Sequence, residues 1–562
     1  MNNRFFLALA LTAIVIVVTP RLFPGAGKPS PAATAIDSAR TDKNLASQPR
    51  VPEAAPVIPA VSQNSSTIPL NTIAGTVETT TVHSSRATYG FSNRGGVPVS
   101  IALDSYPSHR KELLGQSVEL IGRHRALLTY QLISGRDTVL LDTLPLRVEK
   151  QIGAGNAVVY TGSAGGHRIR LAYLVPADTV DSYLMHVSAS IENATAGSLL
   201  VISLPQTLQP NESDTADDLN HLAVSYRSRG EINSVAFSKL DSLEARVDGG
   251  PISWIAIRNK YFVVAYRAMK TPFAAMRVQG VGRTGKIAEE MRGAVALPIG
   301  ADGSAAFDIY AGPQSFERLQ HLGSDLDQVN PYAGFLHGVV QPFTTIVMKA
   351  LLWMKRTTQL NYGWVLVLFG ITVRLILWPL NQGAMRTSMK MQRLQPELQA
   401  LQKKYSDDPK KQQEAVMRVY KDHGMSPLSP LMGCLPMLLP MPILFALYQV
   451  FGNTIEFRGV SFLWLADISQ RDPFYITPLL MGASMFVMSW IGMRNAPPNP
   501  QAKMMSYMMP VMLTVLFLNF ASGLNLYYAV QNIAAIPQQW LLARERGKQT
   551  PVLSGSLEQR RT

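Results

Sequence analysis

The chain has 562 residues and a formal net charge of +14, so it is too long for one ordinary domain and distinctly basic. Its single cysteine, Cys434, excludes an intrachain disulfide and therefore a disulfide-rich secreted scaffold. Much of the Lys and Arg flanks apolar stretches, and positive loops beside membrane spans face the cytoplasm. The charge thus indicates membrane topology, and direct DNA binding is not expected.

Residues 1–23 predict an N-terminal membrane anchor. Arg4 precedes an uninterrupted run of apolar or small residues, and the segment starts inside whether or not it is cleaved. A cleavable signal peptide has the same pattern. No small-x-small site follows the apolar run directly, which favours the anchor. Residues 24–66 are rich in Pro, Ala and Ser and predict a disordered linker.

Residues 67–330 predict a large all-β domain. Alternating apolar and polar residues recur between turn residues, and this period-two pattern is typical of half-buried strands. Many strands with few helical runs favour an antiparallel sandwich. The clearest candidate strands are AVVYTG, HRIRLAYLV, LMHVSASIEN, SLLVISLP and ISWIAIRNKYFVVAYRA.

This β region contains no recognisable catalytic motif. The chain has no H-E-x-x-H, no G-x-S-x-G and no P-loop, so neither an enzymatic activity nor a cofactor is expected. The histidines of the region do not have metal-ligand spacing. They are His83, His109, His124, His167, His186 and His221.

Residues 331–360 predict an amphipathic helix in the membrane interface. Lys349, Lys355 and Arg356 lie away from its apolar positions on the helical wheel. A helix packed on the β domain would show the same pattern. The apolar positions are Phe343, Ile346, Val347, Ala350, Leu351 and Met354.

The stretch Tyr362–Asn381 predicts a membrane-spanning helix with a charge inside it. About 20 apolar residues cross a bilayer, and Arg374 is the exception to the apolar and small residues of this run. An ionisable residue at that depth marks a functional cavity. Alternatively, Arg374 snorkels past Pro379, roughly 8 Å along the helix, to the nearer surface.

Residues 382–430 predict a basic, cytoplasmic helical hairpin. Two helical patterns flank SDDP, where Ser406 and Asp407 are candidate caps for a second helix before Pro409. The hairpin serves either as a solvated connector or as a docking surface. The candidate docking residues are Arg386, Lys390, Arg393, Lys403 and Lys404.

Three further apolar stretches complete the membrane region, at 431–454, 474–493 and 504–541. The last would be about 57 Å long as one helix, nearly twice the hydrocarbon thickness of about 30 Å. It must therefore fold as two spans with a break at Asn519–Asn525. The count is six spans with both termini inside, and the basic tail 542–562 is cytoplasmic.

The order of several motifs carries a family resemblance. A Trp-containing helix (LLWMKRTTQLNYGW) precedes VRLILWPLN and the charged hairpin, and the β region ends near WIAIRNKYFVVAYR. Three segments follow: SPLMGCLPMLLPMPILFALYQVF, FLWLADIS-QRDPFYITPLLMG and PVMLTVLFLNFASGLNLYYAVQNIAAIPQQW. The chain resembles the YidC-type membrane protein insertases of the Oxa superfamily, in their Gram-negative form with a large periplasmic domain.

The resemblance implies a multi-domain membrane protein rather than an enzyme. A five-helix core at 361–541 would join the N-terminal anchor, and the β domain would be a periplasmic β-supersandwich. Such proteins insert and help fold inner-membrane proteins, alone or with the Sec translocon. The implied partners are nascent membrane proteins, the Sec translocon with its accessory subunits, the ribosome, signal-recognition targeting factors and membrane lipid.

The resemblance also implies a hydrophilic groove, whose arginine falls on Arg374. The substrate-contacting helices correspond to 431–454 and 504–520. The chain departs from the family pattern at Asn519, Ala521 and Gly370, the last standing where a polar residue is common. Further candidate groove residues are Thr372, Gln449, Tyr527, Tyr528, Gln531 and Asn532. Candidate substrate contacts are Pro442, Phe445, Met508 and Met512.

Two other classes of protein share some of these features. A secondary transporter also buries charge and breaks helices in the membrane, but this chain has no internal repeat. A membrane-anchored carbohydrate-active enzyme would place its chemistry in 67–325, where no catalytic constellation is visible.

Overall fold

The computed structural model describes residues 77–122, 125–150, 156–177, 182–284, 287–330, 337–405, 408–422, 441–494 and 500–548. These residues form two compact units. A β unit extends to Gln341 and includes Asn453–Arg458, and a helical unit takes in Pro342–Gly452 and the chain from Gly459 onward. The predicted anchor, the linker, the end of the tail, Ser406 and Asp407 lie outside the described residues.

The described strands of the β unit pair antiparallel throughout. One sheet has the order β1-β2-β3-β4, and a 14-stranded sheet has the order β6-β5-β11-β17-β16-β14-β15-β18-β10-β9-β8-β7, with β12 joining β13 to β14. The bounds are β1 Thr79–His83, β2 Ala87–Ser92, β3 Val97–Pro107, β4 Ser117–Glu119, β5 Tyr130–Ser134, β6 Asp137–Leu140, β7 Arg147–Lys150, β8 Asn156–Ala164, β9 His167–Val175, β10 Leu184–Glu192, β11 Leu199–Ser203, β12 Ala223–Ser228, β13 Glu231–Ala236, β14 Arg246–Arg258, β15 Phe262–Ala268, β16 Phe273–Thr284, β17 Ile287–Pro298 and β18 Ser304–Pro313.

The five predicted strand patterns are confirmed, and β9 illustrates why. Ile169, Leu171 and Tyr173 are buried, whereas Arg168 and Arg170 between them are exposed. Successive side chains of a strand point to opposite faces, so the alternation in the sequence corresponds directly to a buried face and an exposed one.

A group of three ionisable residues around a buried aspartate lies on three neighbouring strands of the large sheet. Asp308 of β18 stands opposite His186 of β10 and Arg267 of β15. Its carboxylate accepts from His186 Nδ1 at 2.7 Å and from Arg267 Nη2 at 2.5 Å. Burial opposes ionisation of Asp308, but these two partners hold its pKa below the ordinary value. The group is a satisfied structural pair, and the described residues contain no cluster of three potential metal ligands.

The segment Asn453–Arg458 belongs to the β unit and is bonded into it. Glu456 Oε1 accepts from Ser315 Oγ at 3.2 Å and from Phe316 N at 3.3 Å, at the start of helix α2 (Phe316–Leu322). Arg458 Nε donates to Glu212 Oε1 at 2.7 Å. The other helix of this unit is α1 (Thr215–Asn220).

The helices of the second unit include one that is longer than the sequence indicates. The predicted span and the first half of the predicted hairpin form one continuous helix of 43 residues, which continues through Pro379, Gly383 and Pro396. The bounds are α3 His337–Thr358, α4 Tyr362–Lys404, α5 Pro409–Asp422, α6 Met441–Asn453, α7 Ile476–Met493, α8 Pro500–Phe517 and α9 Ser522–Lys548.

Helix α5 packs on the end of α4, within the region of the predicted hairpin. Leu394 of α4 and Val419 and Tyr420 of α5 form a small buried cluster. Asp408 caps the start of α5, because its Oδ1 accepts from Lys411 N at 3.2 Å.

The predicted break within the apolar stretch 504–541 is also confirmed. Helix α8 ends at Phe517 and α9 begins at Ser522. Asn525 donates from Nδ2 to the Phe517 carbonyl oxygen at 3.1 Å, which satisfies one backbone group at the end of α8.

The interfacial helix differs from its prediction. In α3, Val347, Leu351 and Met354 are buried, whereas Phe343 and Ile346 are exposed. One part of the predicted apolar face is therefore buried in the protein, and the other part is exposed. A helical wheel cannot separate contact with protein from contact with lipid, since both surroundings are apolar.

Two described helices are long and apolar enough to cross a membrane. They are Tyr362–Pro379 and Ile476–Met493, and Lys503–Phe517 is a shorter apolar helix. Within the helical unit, α9 packs against α4 and α7, and α7 packs against α8.

Candidate substrate groove

Arg374 is the charged centre of the contact between α4 and α9. Its Nη2 donates to Gln538 Oε1 of α9 at 2.7 Å. Its Nε is buried and has no hydrogen-bond partner among the residues that the structure describes. The guanidinium is therefore held by a neutral amide, and none of the described ion pairs involves it. Arg374 thus contacts a neighbouring helix at the level of Trp378.

Gln538 also forms a hydrogen bond with the backbone of α4. Its Nε2 donates to the Trp378 carbonyl oxygen at 3.2 Å, and the side chain is only 1% exposed. The next turn of α4 continues the polar contacts, because Trp378 Nε1 donates to Gln382 Oε1 at 3.0 Å. The amide of Gln538 thus joins the side chain of Arg374 to the backbone one turn later.

A second polar contact lies one turn before Arg374. Gln531 Nε2 donates to the Gly370 carbonyl oxygen at 2.9 Å and to Tyr527 Oη at 2.9 Å. Tyr527, Gln531 and Gln538 are spaced by four and seven residues, which places them on one face of a helix. Position 370 of α4 contacts position 531 of α9, and position 378 contacts position 538. The residue numbers of the contacts increase in the same direction along both helices, so α4 and α9 run parallel.

Gly370 makes this close contact possible. A Cβ atom at this position would lie 3.1 Å from Val530 Cγ1 and 3.6 Å from Tyr527 Cδ2. Small residues let helices in membranes approach closely. In the family pattern a polar side chain is common at position 370, and this chain lacks it. In the structure the backbone carbonyl of Gly370 is the polar group instead, because it accepts from Gln531.

The predicted groove residues do not all gather around Arg374. Asn532 donates from Nδ2 to Ser484 Oγ of α7 at 3.1 Å, and Tyr528 packs edge-on against Phe517 of α8 with ring centroids 5.7 Å apart. Thr372 and Gln449 are half-buried on α4 and α6, and the hydrogen bond of Arg374 goes to neither. The structure brings Tyr527 and Gln531 together one turn before Arg374 and turns Tyr528 and Asn532 towards other helices.

The predicted substrate contacts lie on α6 and α8. Met508 and Met512 are 50% and 51% exposed. Phe445 is half-buried on α6, and Pro442 lies in the same helix, with its side chain outside the described ones. The exposed apolar surface of α8 also includes Met504, Met505, Val511, Val515 and Leu516.

The predicted docking residues lie near the end of α4. Lys404 is exposed, and its Nζ lies 5.6 Å from the centroid of the Tyr405 ring. The other four positions are in the same helix, and their side chains are outside the described ones: Arg386, Lys390, Arg393 and Lys403.

Sequence reasoning missed Gln538, the hydrogen-bond partner of Arg374. The available signal was its position seven residues after Gln531, on the same face of the same helix. What the sequence lacked was any indication that this face meets α4, 164 residues earlier in the chain.

Comparison with known proteins identifies the family of this chain. The family model described as 60Kd inner membrane protein matches residues 353–549, and the model of the YidC periplasmic domain matches 79–346. A membrane protein insertase YidC of Nitratidesulfovibrio vulgaris is 32% identical over 408 residues, which cover 70% of this chain and 72% of the relative. One from Chlorobaculum tepidum is 27% identical over 503 residues, covering 83% and 82%.

Among solved structures, an active YidC insertase with its first transmembrane domain resolved covers 82% of this chain and 92% of its own, at 18% identity and a TM-score of 0.33. The two family models and the relatives define the class as an inner-membrane protein that carries a large β domain. The chain belongs to the YidC family of membrane protein insertases.

Proposed function

We propose that this protein inserts membrane proteins and helps them fold, with the polar contact between α4 and α9 forming part of its substrate groove. The observation that supports the proposal most is the state of Arg374. Its guanidinium is held by one neutral amide, its Nε has no partner among the described residues, and it lies in an apolar helix.

The physical reason for such a groove is the cost of moving polar groups through hydrocarbon. Each unsatisfied polar group there costs several kcal/mol. Polar walls reaching into the membrane shorten the dry path of an exported segment. Arg374 attracts carboxylates of that segment, and Tyr527 and Gln531 offer additional hydrogen bonds. The ion pair must remain transient, and a wet groove ensures this because water weakens the attraction.

The apolar part of a substrate then leaves towards lipid along α6 and α8. Exposed methionines such as Met508 and Met512 suit this task, because their flexible side chains adapt to varied apolar partners. The basic hairpin and the tail meet the ribosome and the targeting factors, and the Sec translocon is a further partner. The proposed topology has six spans, both termini in the cytoplasm and the β domain in the periplasm.

The first experiment compares substrates that differ only in the charge of the exported tail. In proteoliposomes, Arg374→Ala is expected to reduce insertion of a substrate with an acidic tail much more than insertion of its neutral twin. Arg374→Lys should retain part of the activity if positive charge matters more than the planar fork of the guanidinium. Equal loss for both tails would contradict a role for Arg374 in binding charge.

A second experiment tests the substrate path. Photo-crosslinking probes at Gln449 and Met508 are expected to react with a stalled nascent chain that carries one emerging transmembrane segment. A probe at Leu479, 58% exposed on α7, is the control for general exposure to lipid. Absence of crosslinks at the first two positions in folded protein, or equal crosslinking at all three, would argue against the proposed path.

A further inference from the structure

Gln538 has a place in the structure that the proposed groove does not yet explain. It is almost fully buried at the contact between α9 and α4, and both ends of its amide are used. The oxygen accepts from Arg374 Nη2, and the nitrogen donates to the Trp378 carbonyl oxygen. Because a carbonyl oxygen can only accept, the amide nitrogen must face Trp378 and the amide oxygen must face Arg374.

The chemistry of this partner matters for the charge of Arg374. A carboxylate in the same place would neutralise the guanidinium and compete with any acidic substrate. An apolar side chain would leave the long arginine side chain free to adopt other rotamers. A neutral amide avoids both outcomes, because it fixes the guanidinium and leaves its charge uncompensated.

We propose that Gln538 is a positioning residue for Arg374: it holds one nitrogen of the guanidinium and thereby keeps the other donors available for a carboxylate of the exported segment. This inference rests on the function proposed above. The buried Nε, which has no partner within the described part of the chain, is the donor most directly left over. A buried unsatisfied donor is costly, and the hydrogen bond to Gln538 leaves the guanidinium incompletely satisfied.

Two substitutions separate the possible roles of this side chain. Gln538→Glu keeps the shape but places a carboxylate beside Arg374 and removes the donor to Trp378. Gln538→Met keeps a similar volume but removes both hydrogen bonds. The matched control is Gln539→Met, which makes the same chemical change at the neighbouring residue, beside Gly492 of α7 rather than beside Arg374.

The measurement is the ratio of insertion of an acidic-tail substrate to that of its neutral twin, in proteoliposomes with the full-length protein. Gln538→Glu is expected to lower this ratio about tenfold, the factor associated with losing one hydrogen bond to a charged group, and Gln538→Met is expected to lower it less. Gln539→Met should leave the ratio unchanged. A structural role alone would lower insertion of both substrates together.

A double-mutant cycle provides the decisive comparison. If Gln538 acts through Arg374, Gln538→Glu should not change the ratio further in an Arg374→Ala background. An unchanged ratio in Gln538→Glu and Gln538→Met, with a lowered ratio in Arg374→Ala, overturns this inference and leaves the proposed function standing. An unchanged ratio in Arg374→Ala overturns both. If the Glu variant does not fold, Gln538→Met carries the same test.

Discussion

Gln531 of α9 donates a hydrogen bond to the backbone carbonyl of Gly370 on α4, with a separation of 2.9 Å between Nε2 and the oxygen. The contact depends on the missing side chain at position 370, where a Cβ would already approach Val530 closely. The polar face of α9 is thereby joined to α4 one turn before Arg374. In an apolar environment a satisfied amide of this kind also fixes the relative position of two helices.

Gly370→Leu is expected to separate α4 from α9 and to abolish most insertion activity. Overpacking a closely packed contact typically costs about 1–3 kcal/mol, and the Gln531 hydrogen bond is lost with it. The thermal unfolding temperature in detergent should fall together with activity. Gly452→Leu is the control, because a Cβ at that position meets nothing within 4 Å. Equal tolerance of both substitutions would contradict a close contact at Gly370.

Arg458→Met is expected to destabilise the β unit by about 3 kcal/mol at pH 7, because removing one partner of a buried ion pair strands the other charge. Glu212 accepts from Arg458 Nε, and both side chains are buried. Calorimetry of the full-length protein measures the effect. The control is Arg110→Met, which breaks the exposed Arg110–Glu112 pair and should change the unfolding temperature little.

The effect of Arg458→Met should also depend on pH. Burial opposes ionisation of Glu212, but His109 and Arg458 together hold its pKa below the ordinary value of 4.5. A lowered carboxyl pKa contributes stability above the ordinary value, and this contribution is lost as the pH falls through the folded-state pKa. The difference between wild type and variant should therefore shrink below about pH 4.5. A difference that stays constant down to pH 3 would contradict this account.

Glu456→Gln is expected to stabilise the protein at alkaline pH. Burial raises the pKa of Glu456 to about 7, and its Oε2 has no hydrogen-bond partner among the described residues. The folded state thus binds a proton more tightly than the unfolded state, so stability falls as the pH rises from about 4.5 to about 7. The variant cannot ionise and escapes this loss.

The expected gain from Glu456→Gln in unfolding temperature is about 2–6 °C at pH 8, with little change at pH 5. Hydrogen bonds from Ser315 and Phe316 to Oε1 remain possible in the variant. The exposed Glu231→Gln is the control and should show no such pH dependence. A gain of the same size at both pH values would rule out ionisation of Glu456 as its cause.

Asp472→Ala is expected to loosen the loop before α7. The Asp472 carboxylate accepts from Thr477 N at 2.7 Å, Phe474 N at 2.9 Å and Trp464 Nε1 at 3.2 Å. Losing this cap should cost about 1–2 kcal/mol. The fluorescence of Trp464, compared with a Trp464→Phe background, should report the change. An unaltered Trp464 signal with unaltered stability would contradict the capping role.

Local patterns in the sequence were sufficient for many of the elements, although not for the length of α4. Alternation along β9, the helical pattern on either side of SDDP and the excessive length of 504–541 each depend on residues a few positions apart. The geometry of strands and helices is set at that range, so the strands, the hairpin and the break after Phe517 were predictable. The family resemblance also depended on local motifs in a fixed order, and the comparisons confirm it.

Contacts between distant elements were beyond the reach of such patterns. Hydropathy places Arg374 inside an apolar helix but does not reveal that Gln538, 164 residues later, binds it. Nor does it separate Gln531, which faces α4, from Asn532, which faces α7. In an apolar unit most helix faces look alike by hydropathy, so the packing of helices depends on a few small and polar residues whose partners come together only on folding. The role of the Gly370 carbonyl could not be predicted either. Every residue has a backbone carbonyl group, and the sequence does not show which of them makes a contact.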